Sequence, residues 1–248
     1  MSSEIEHIEY DRDVNPYPSF GKKYNGEKAI ISMTSWKMRI NTCSKTLYSL
    51  LKQCPGFHIV LVLSEEEFPK MMDELPENLK LFVDNELIEV LWVYKNYRSF
   101  KKWIFTADKY NDVPIISADD GCIYIRNYAE ELYQEWIKHP NDIISEVKFE
   151  YYDISFGGGG CGMLFPPKCL FNAYKLLNDD IVKSLHDDAF YGCLAKAIGI
   201  VFYFINTEIN KPKNLPFKDF DDANNTSVWK NRCSNNIITY FKQLFHIH

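Results

Sequence analysis

The feature that most constrains the fold is a repeated alternation of short apolar runs with helix-like stretches. "KAIISM", "HIVLVLS", "LIEVLWVY" and "VPIISA" are strand-length runs, apolar almost throughout. Between them lie "NTCSKTLYSLLKQC", the broken helical stretch "EEEFPKMMDELP", and "SFKKWIFTADKY". In the first of these Leu47, Leu50 and Leu51 share a helical face and Asn41 stands where an N-cap belongs; Ser99 stands near the start of the last. Repeated strand–helix–strand units imply a parallel sheet with helices on both faces. Strands covered on both faces need no polar alternation, and these show none.

The second half changes character. "NYAEELYQEWIKHP", "KCLFNAYKLLND" and "DDAFYGCLAKAIG" read as helices, "DIISEVKFEYYDISF" carries strand-type residues, and "IVFYFI" reads as a strand. Residues 210–235 are polar and loop-like, followed by a terminal helix. The expectation is an irregular leader over 1–27 and one domain over 28–248. That domain has a nucleotide-binding half (about 28–126) and an α+β acceptor-side half (about 127–248).

Composition narrows the function classes. A chain of 248 residues with 46% hydrophobic and 25% charged residues can bury a sizeable core. Its 17 Phe and 16 Tyr fit a core first and a sugar-binding cleft second. The formal charge of −6, with no Lys/Arg block, makes nucleic acid an unexpected partner. The seven cysteines are scattered, odd in number and without a C-x-x-C pair, which argues against a disulfide framework or a zinc site. They read as reduced thiols, so the expected location is cytoplasmic. The N-terminal "MSSEIEHIEYDRDVNPYPSF" has no apolar signal core, and no run approaches the ~20 residues of a membrane span. The amphipathic "NNIITYFKQLFHIH" leaves room for a peripheral contact with the inner face of a membrane.

Ligands of parallel α/β sheets sit at the carboxyl ends of the strands. Four features lie there or nearby. Asp119 and Asp120 close the fourth strand in "VPIISADDGCIY". Adjacent carboxylates can hold a hard divalent cation; Asp and Gly are equally turn formers. The run Gly157, Gly158, Gly159, Gly160, with Gly162 beyond, lets a backbone approach a ligand closely. It is neither a P-loop nor a dinucleotide fingerprint. In "SLHDDAFYGCLAKAIG", Phe190, Leu194 and Ile198 share a helical face, so Asp187 or Asp188 is a helix cap or a general base. His186 beside them is a metal ligand or a surface residue. Arg98, Lys101 and Lys102 form a solvated face or a phosphate contact.

These pieces occur in an order that resembles bacterial glycosyltransferases of the GT-A fold, similar to family 2, which act in cell-surface polysaccharide or lipopolysaccharide synthesis. The resemblance runs through "ISMTSWKMRINTCSKTLYSLLKQ", "VLVLSEEEFP", "FKKWIF", "IISADDGCIY", "GGGGCGMLFPP" and "HDDAFYGCLAKAIG". It implies a Rossmann-like, mostly parallel sheet and transfer, with inversion, from a nucleotide-diphosphate sugar to a hydroxyl acceptor. A UDP-sugar is first among the donors, and a glycan or lipid-linked sugar is the acceptor. It assigns the nucleotide to Thr34, Ser35, Arg39, Ser64 and Glu65. Asp119 and Asp120 hold Mn2+ or Mg2+, with Asp119 also meeting the sugar nucleotide. Gly158, Gly159 and Gly160 line the donor sugar and acceptor, and Asp188 is the catalytic base with Asp187 beside it. In such a transfer the charge on the departing diphosphate falls to Lys101 or Lys102, cations suited to a phosphate. One departure stands out: the family's third acidic position is Gly121, and Cys122 is a soft ligand that Mg2+ and Mn2+ disfavour. That departure motivates a degenerate sugar-nucleotide or glycan-binding protein as the alternative. A nucleotidyltransferase ranks lower, because "SMTSWKMRI" has no glycine after the first strand.

Overall fold

A computed structural model describes residues 17–53, 55–151, 154–205 and 217–219. In chain order the strands are β1 (Ser19–Gly21), β2 (Ala29–Thr34), β3 (Phe57–Ser64), β4 (Glu89–Val93), β5 (Ile115–Asp119) and β6 (Cys122–Tyr124). They continue as β7 (Ile143–Ser145), β8 (Phe149–Tyr151), β9 (Ile154–Phe156), β10 (Met163–Phe165), β11 (Phe202–Phe204) and β12 (Phe217–Asp219). The α-helices are α1 (Cys43–Leu51), α2 (Glu77–Asp84), α3 (Lys101–Lys109), α4 (Tyr128–Lys138), α5 (Asp179–Ser184) and α6 (Asp187–Ile198).

An eight-stranded sheet runs in the order β1-β4-β3-β2-β5-β10-β7-β11. Its heart, β4-β3-β2-β5, is parallel. β10 is antiparallel to both β5 and β7, and β11 returns parallel to β7. The α/β architecture with helices on both faces is therefore the expected one.

The apolar runs explain the layers. All eight residues of β3 are buried, because neighbouring side chains point to opposite, equally covered faces. Ile31, Met33, Leu61, Leu63, Val90 and Trp92 pack with Leu47 of α1, Leu79 of α2 and Leu132 of α4. On the other face Ile30, Val60, Val62, Leu91 and Val93 pack with Phe105 of α3. A second core joins Trp103 of α3 to Phe165, Phe190 and Tyr191, which ties the second half of the chain to the sheet.

Several local expectations differ from the fold. Residues 19–21, inside the expected irregular leader, pair as β1 with β4. "KCLFNAYKLLND" holds only a 3-10 turn at Ala173–Leu176, since Asn172 enters it in the left-handed conformation at φ 62°. "EEEFPKMMDELP" likewise keeps only a 3-10 turn, Met71–Glu74, and α2 forms instead in the unassigned "ENLKLFVD" that follows. α1 starts behind Thr42 rather than Asn41, because the chain is already turning where Arg39 and Ile40 N–H donate to the Trp36 carbonyl. His186, not an aspartate, is the cap residue of α6; Ile198 at its far end is exposed. "DIISEVKFEYYDISF" splits into three short strands. The terminal helix lies outside the described residues, as does the polar segment before it apart from β12. No helix among the described residues is long and apolar enough to cross a membrane.

Candidate functional site

The sheet winds in opposite directions from β2: β3 and β4 lie on one side and β5 on the other. The carboxyl ends of β2 and β5 therefore border the point where the strand order reverses, the place where ligands of open α/β sheets bind. Thr34 and Asp119 are register partners at that edge.

Two carboxylates meet one ammonium there. Lys102 Nζ lies 2.5 Å from Asp119 Oδ1 and 3.2 Å from Asp187 Oδ2. Lys102 is 3% exposed, in the first turn of α3, and its backbone carbonyl accepts a hydrogen bond from Ser32 Oγ. Burial pulls its pKa down, but Asp119, Asp187 and Asp188 outweigh burial and raise it. Asp188 Oδ1 accepts the Gly159 N–H at 2.9 Å. Burial first, then Asp187, push Asp188 up to about 8 against the pull of Lys102. Asp187 and Asp188 sit in the first turn of α6, where backbone N–H groups favour negative charge.

Asp120 turns the other way. Its Oδ2 accepts from Ser35 Oγ at 2.7 Å and its Oδ1 from Arg39 at 2.6 Å. Burial raises its pKa, and Arg39 and Ser35 oppose that rise. Towards β3, Thr34 Oγ1 donates to the Val62 carbonyl at 2.7 Å. Ser64 Oγ donates to Glu67 at 3.1 Å, and Lys101 Nζ reaches the same Glu67 oxygen at 3.2 Å and Asn96 Oδ1 at 2.8 Å. Burial lowers the Lys101 pKa against Glu67. Glu65 is half-buried, which raises its pKa. Arg98 is exposed.

The glycine run is pressed against protein rather than open space. A Cβ on Gly160 would meet the Asp119 carboxylate, and one on Gly159 the Trp103 ring and, at 3.0 Å, Asp188 Oδ1. Gly158 faces Phe149 in the same way, at 2.6 Å. Ser117 Oγ donates to the Gly159 carbonyl at 2.8 Å, and Tyr124 hydroxyl to the Gly160 carbonyl at 3.1 Å. The same tyrosine oxygen accepts the Asp119 N–H at 2.8 Å.

The structure thus gathers Asp119, Lys102, Asp187, Asp188, Gly159 and Gly160 into one cluster. Ser35, Arg39 and Asp120 form a second, and Ser64 and Lys101 a third. Gly158 joins none of these. Sequence reasoning missed Ser117, Tyr124 and Glu67, which hold these groups. Ser117 left a trace, a hydroxyl inside an apolar strand and two residues before Asp119 on the same face.

The expected divalent cation can be tested on this donor set. Asp120 is committed to Arg39 and Ser35, Asp119 Oδ1 to Lys102, and Gly121 offers no side-chain oxygen. Among the described residues no group of three or more His, Cys, Asp or Glu is arranged to hold a metal. Hard cations need several free oxygens, so these residues do not fit one as they stand.

No protein-family model matches the chain, and no curated protein matches it. Among solved structures, the crystal structure of the glycosyltransferase GlyE in Streptococcus pneumoniae TIGR4 is similar at 10% identity and a TM-score of 0.46. The match covers 72% of this chain, which spans 46% of that one.

Proposed function

We propose that this chain is a glycosyltransferase, moving a sugar from a nucleotide-diphosphate donor to a hydroxyl of a glycan or lipid-linked acceptor. The observation that carries the reading is the cluster of Lys102, Asp119 and Asp187 at the β2/β5 switch point, beside the Asp188 carboxylate of raised pKa. Thr34, Ser35, Arg39, Ser64 and Glu65 form the edge for the nucleotide, a UDP-sugar in the first instance. Lys102 faces the diphosphate. Asp188 takes the proton of the acceptor hydroxyl as its oxygen bonds to the anomeric carbon. The bond from that carbon to the diphosphate oxygen breaks in the same step, with inversion, and the electron pair leaves on the diphosphate. A carboxylate poised near neutrality suits a general base. The proton is taken at whichever Asp188 oxygen is not bound by Gly159.

A binding protein without turnover is the second reading, favoured by Asp119 and Asp120 both being engaged by cations of the chain itself. Calorimetry with a panel of UDP-, GDP- and CMP-sugars separates the readings. Binding with slow release of free sugar supports the transferase. Binding without turnover, under any acceptor, supports the second reading, and no binding rejects both.

A further inference from the structure

We infer that Lys102 is the resident cation of this site, holding the place a divalent metal would take, and that the site meets a donor diphosphate without one. The second clause rests on the proposed function; the first does not.

The argument begins with geometry. An ammonium offers three donors around one point, and carboxylates lie against this one. Two are in ion-pair contact, Asp119 at 2.5 Å and Asp187 at 3.2 Å, and Asp188 acts on the same charge. The side chain is 3% exposed, so its charge is not shared with water. It is also fixed at its base. Ser32 holds its backbone carbonyl from inside the sheet, and Trp103, the next residue, is fully buried. The ammonium lies 4.6 Å from the centre of that indole ring, a further contact that favours a cation.

The second oxygen of Asp119 lies so close to Gly160 that a Cβ there would strike it. Asp120 faces Arg39 instead. A divalent ion between Asp119 and Asp187 would have to share its shell with a buried ammonium of like charge. Like charges a few ångströms apart in a poorly screened site repel strongly. Swinging Lys102 aside would strand the charge or expel it from the core. A lysine also suits the chemistry, as a point-charge partner for phosphate.

Manganese binding to the full chain, read by the paramagnetic resonance of free Mn2+, tests the first clause without any donor. Wild type should leave the free-ion signal undiminished. Lys102→Met should take up Mn2+, and the added change Asp119→Asn should abolish that uptake. Uptake by wild type that is lost in Asp119→Asn overturns the inference. Should Lys102→Met fail to fold, as judged by circular dichroism, the wild-type titration decides alone. Calorimetry of UDP tests the second clause. Affinity should be the same in EDTA as in Mn2+, and fall by at least about tenfold in Lys102→Met. Binding that requires Mn2+ overturns it. Absence of UDP binding in both buffers rejects the proposed function, while the manganese titration still judges the resident cation.

Discussion

The Gly159 N–H donates to Asp188 Oδ1 at 2.9 Å, and this bond ties the glycine loop to the first turn of α6. The loop is otherwise hung from β5 through Ser117, so Asp188 is positioned by the sheet as much as by its own helix. Gly159→Ala should break that arrangement. Its Cβ would press on the fully buried Trp103 ring and on Asp188. Overpacking of this kind costs about 1–3 kcal/mol. Thermal denaturation should show a melting point lower by roughly 2–4 °C per kcal/mol. An unchanged melting point contradicts the packing described.

Asp188→Asn should keep donor binding and lower transfer by roughly 10²–10⁴-fold, the range for a general base. The wild-type rate should rise with pH and level off above about 8, because only ionised Asp188 accepts a proton. The apparent value belongs to the Asp187/Asp188 pair. Stability should run the opposite way. A carboxyl raised in the fold holds its proton longer than in the unfolded chain, so its contribution is full below the ordinary 3.8 and is lost as pH climbs through about 8. Urea denaturation across that window should show the decline, and Asp188→Asn should flatten it.

Arg39→Met leaves Asp120 buried beside a vanished partner. Removing one member of a buried pair costs about 3–5 kcal/mol. The loss should shrink in Arg39→Met/Asp120→Asn, where no charge is stranded. Chemical denaturation of the single and double variants gives the coupling.

Glu89, at the far end of the sheet, contributes to acid stability. Burial pushes its pKa up, but hydrogen bonds from His58, Lys109 and Tyr110 outweigh burial and hold it at about 2. His58 Nε2 lies 2.7 Å from it and Lys109 Nζ 2.6 Å. A depressed carboxyl stabilises above its ordinary 4.5 and loses that contribution as pH falls towards 2. The group should account for about 3 kcal/mol across that interval. In Glu89→Gln, denaturation midpoints between those pH values should change less steeply than in wild type.

The parallel heart of the fold was legible because β2 to β5 are continuous apolar runs, a pattern that only doubly covered strands require. The aspartates were legible for the same reason: a charge that ends a buried run must find a partner. Their partners were not. Lys102 and Asp119 are 17 residues apart, and Gly159 and Asp188 are 29 apart, so each pairing depends on how separate elements pack, which local spacing does not reveal. The glycine run read as an open wall, whereas its missing side chains make room for Trp103, Phe149 and Asp119. Short second-half elements such as Ala173–Leu176 were misread because a left-handed Asn172 overrides helical composition.

The most direct measurement is a crystal structure of the protein soaked with UDP. The diphosphate should lie at the carboxyl ends of β2 and β5, within contact of Lys102 and beside the Gly159–Asp188 bond. Nucleotide bound elsewhere, or no nucleotide at saturating concentration, would contradict the assignment of this crevice as a glycosyl-transfer site.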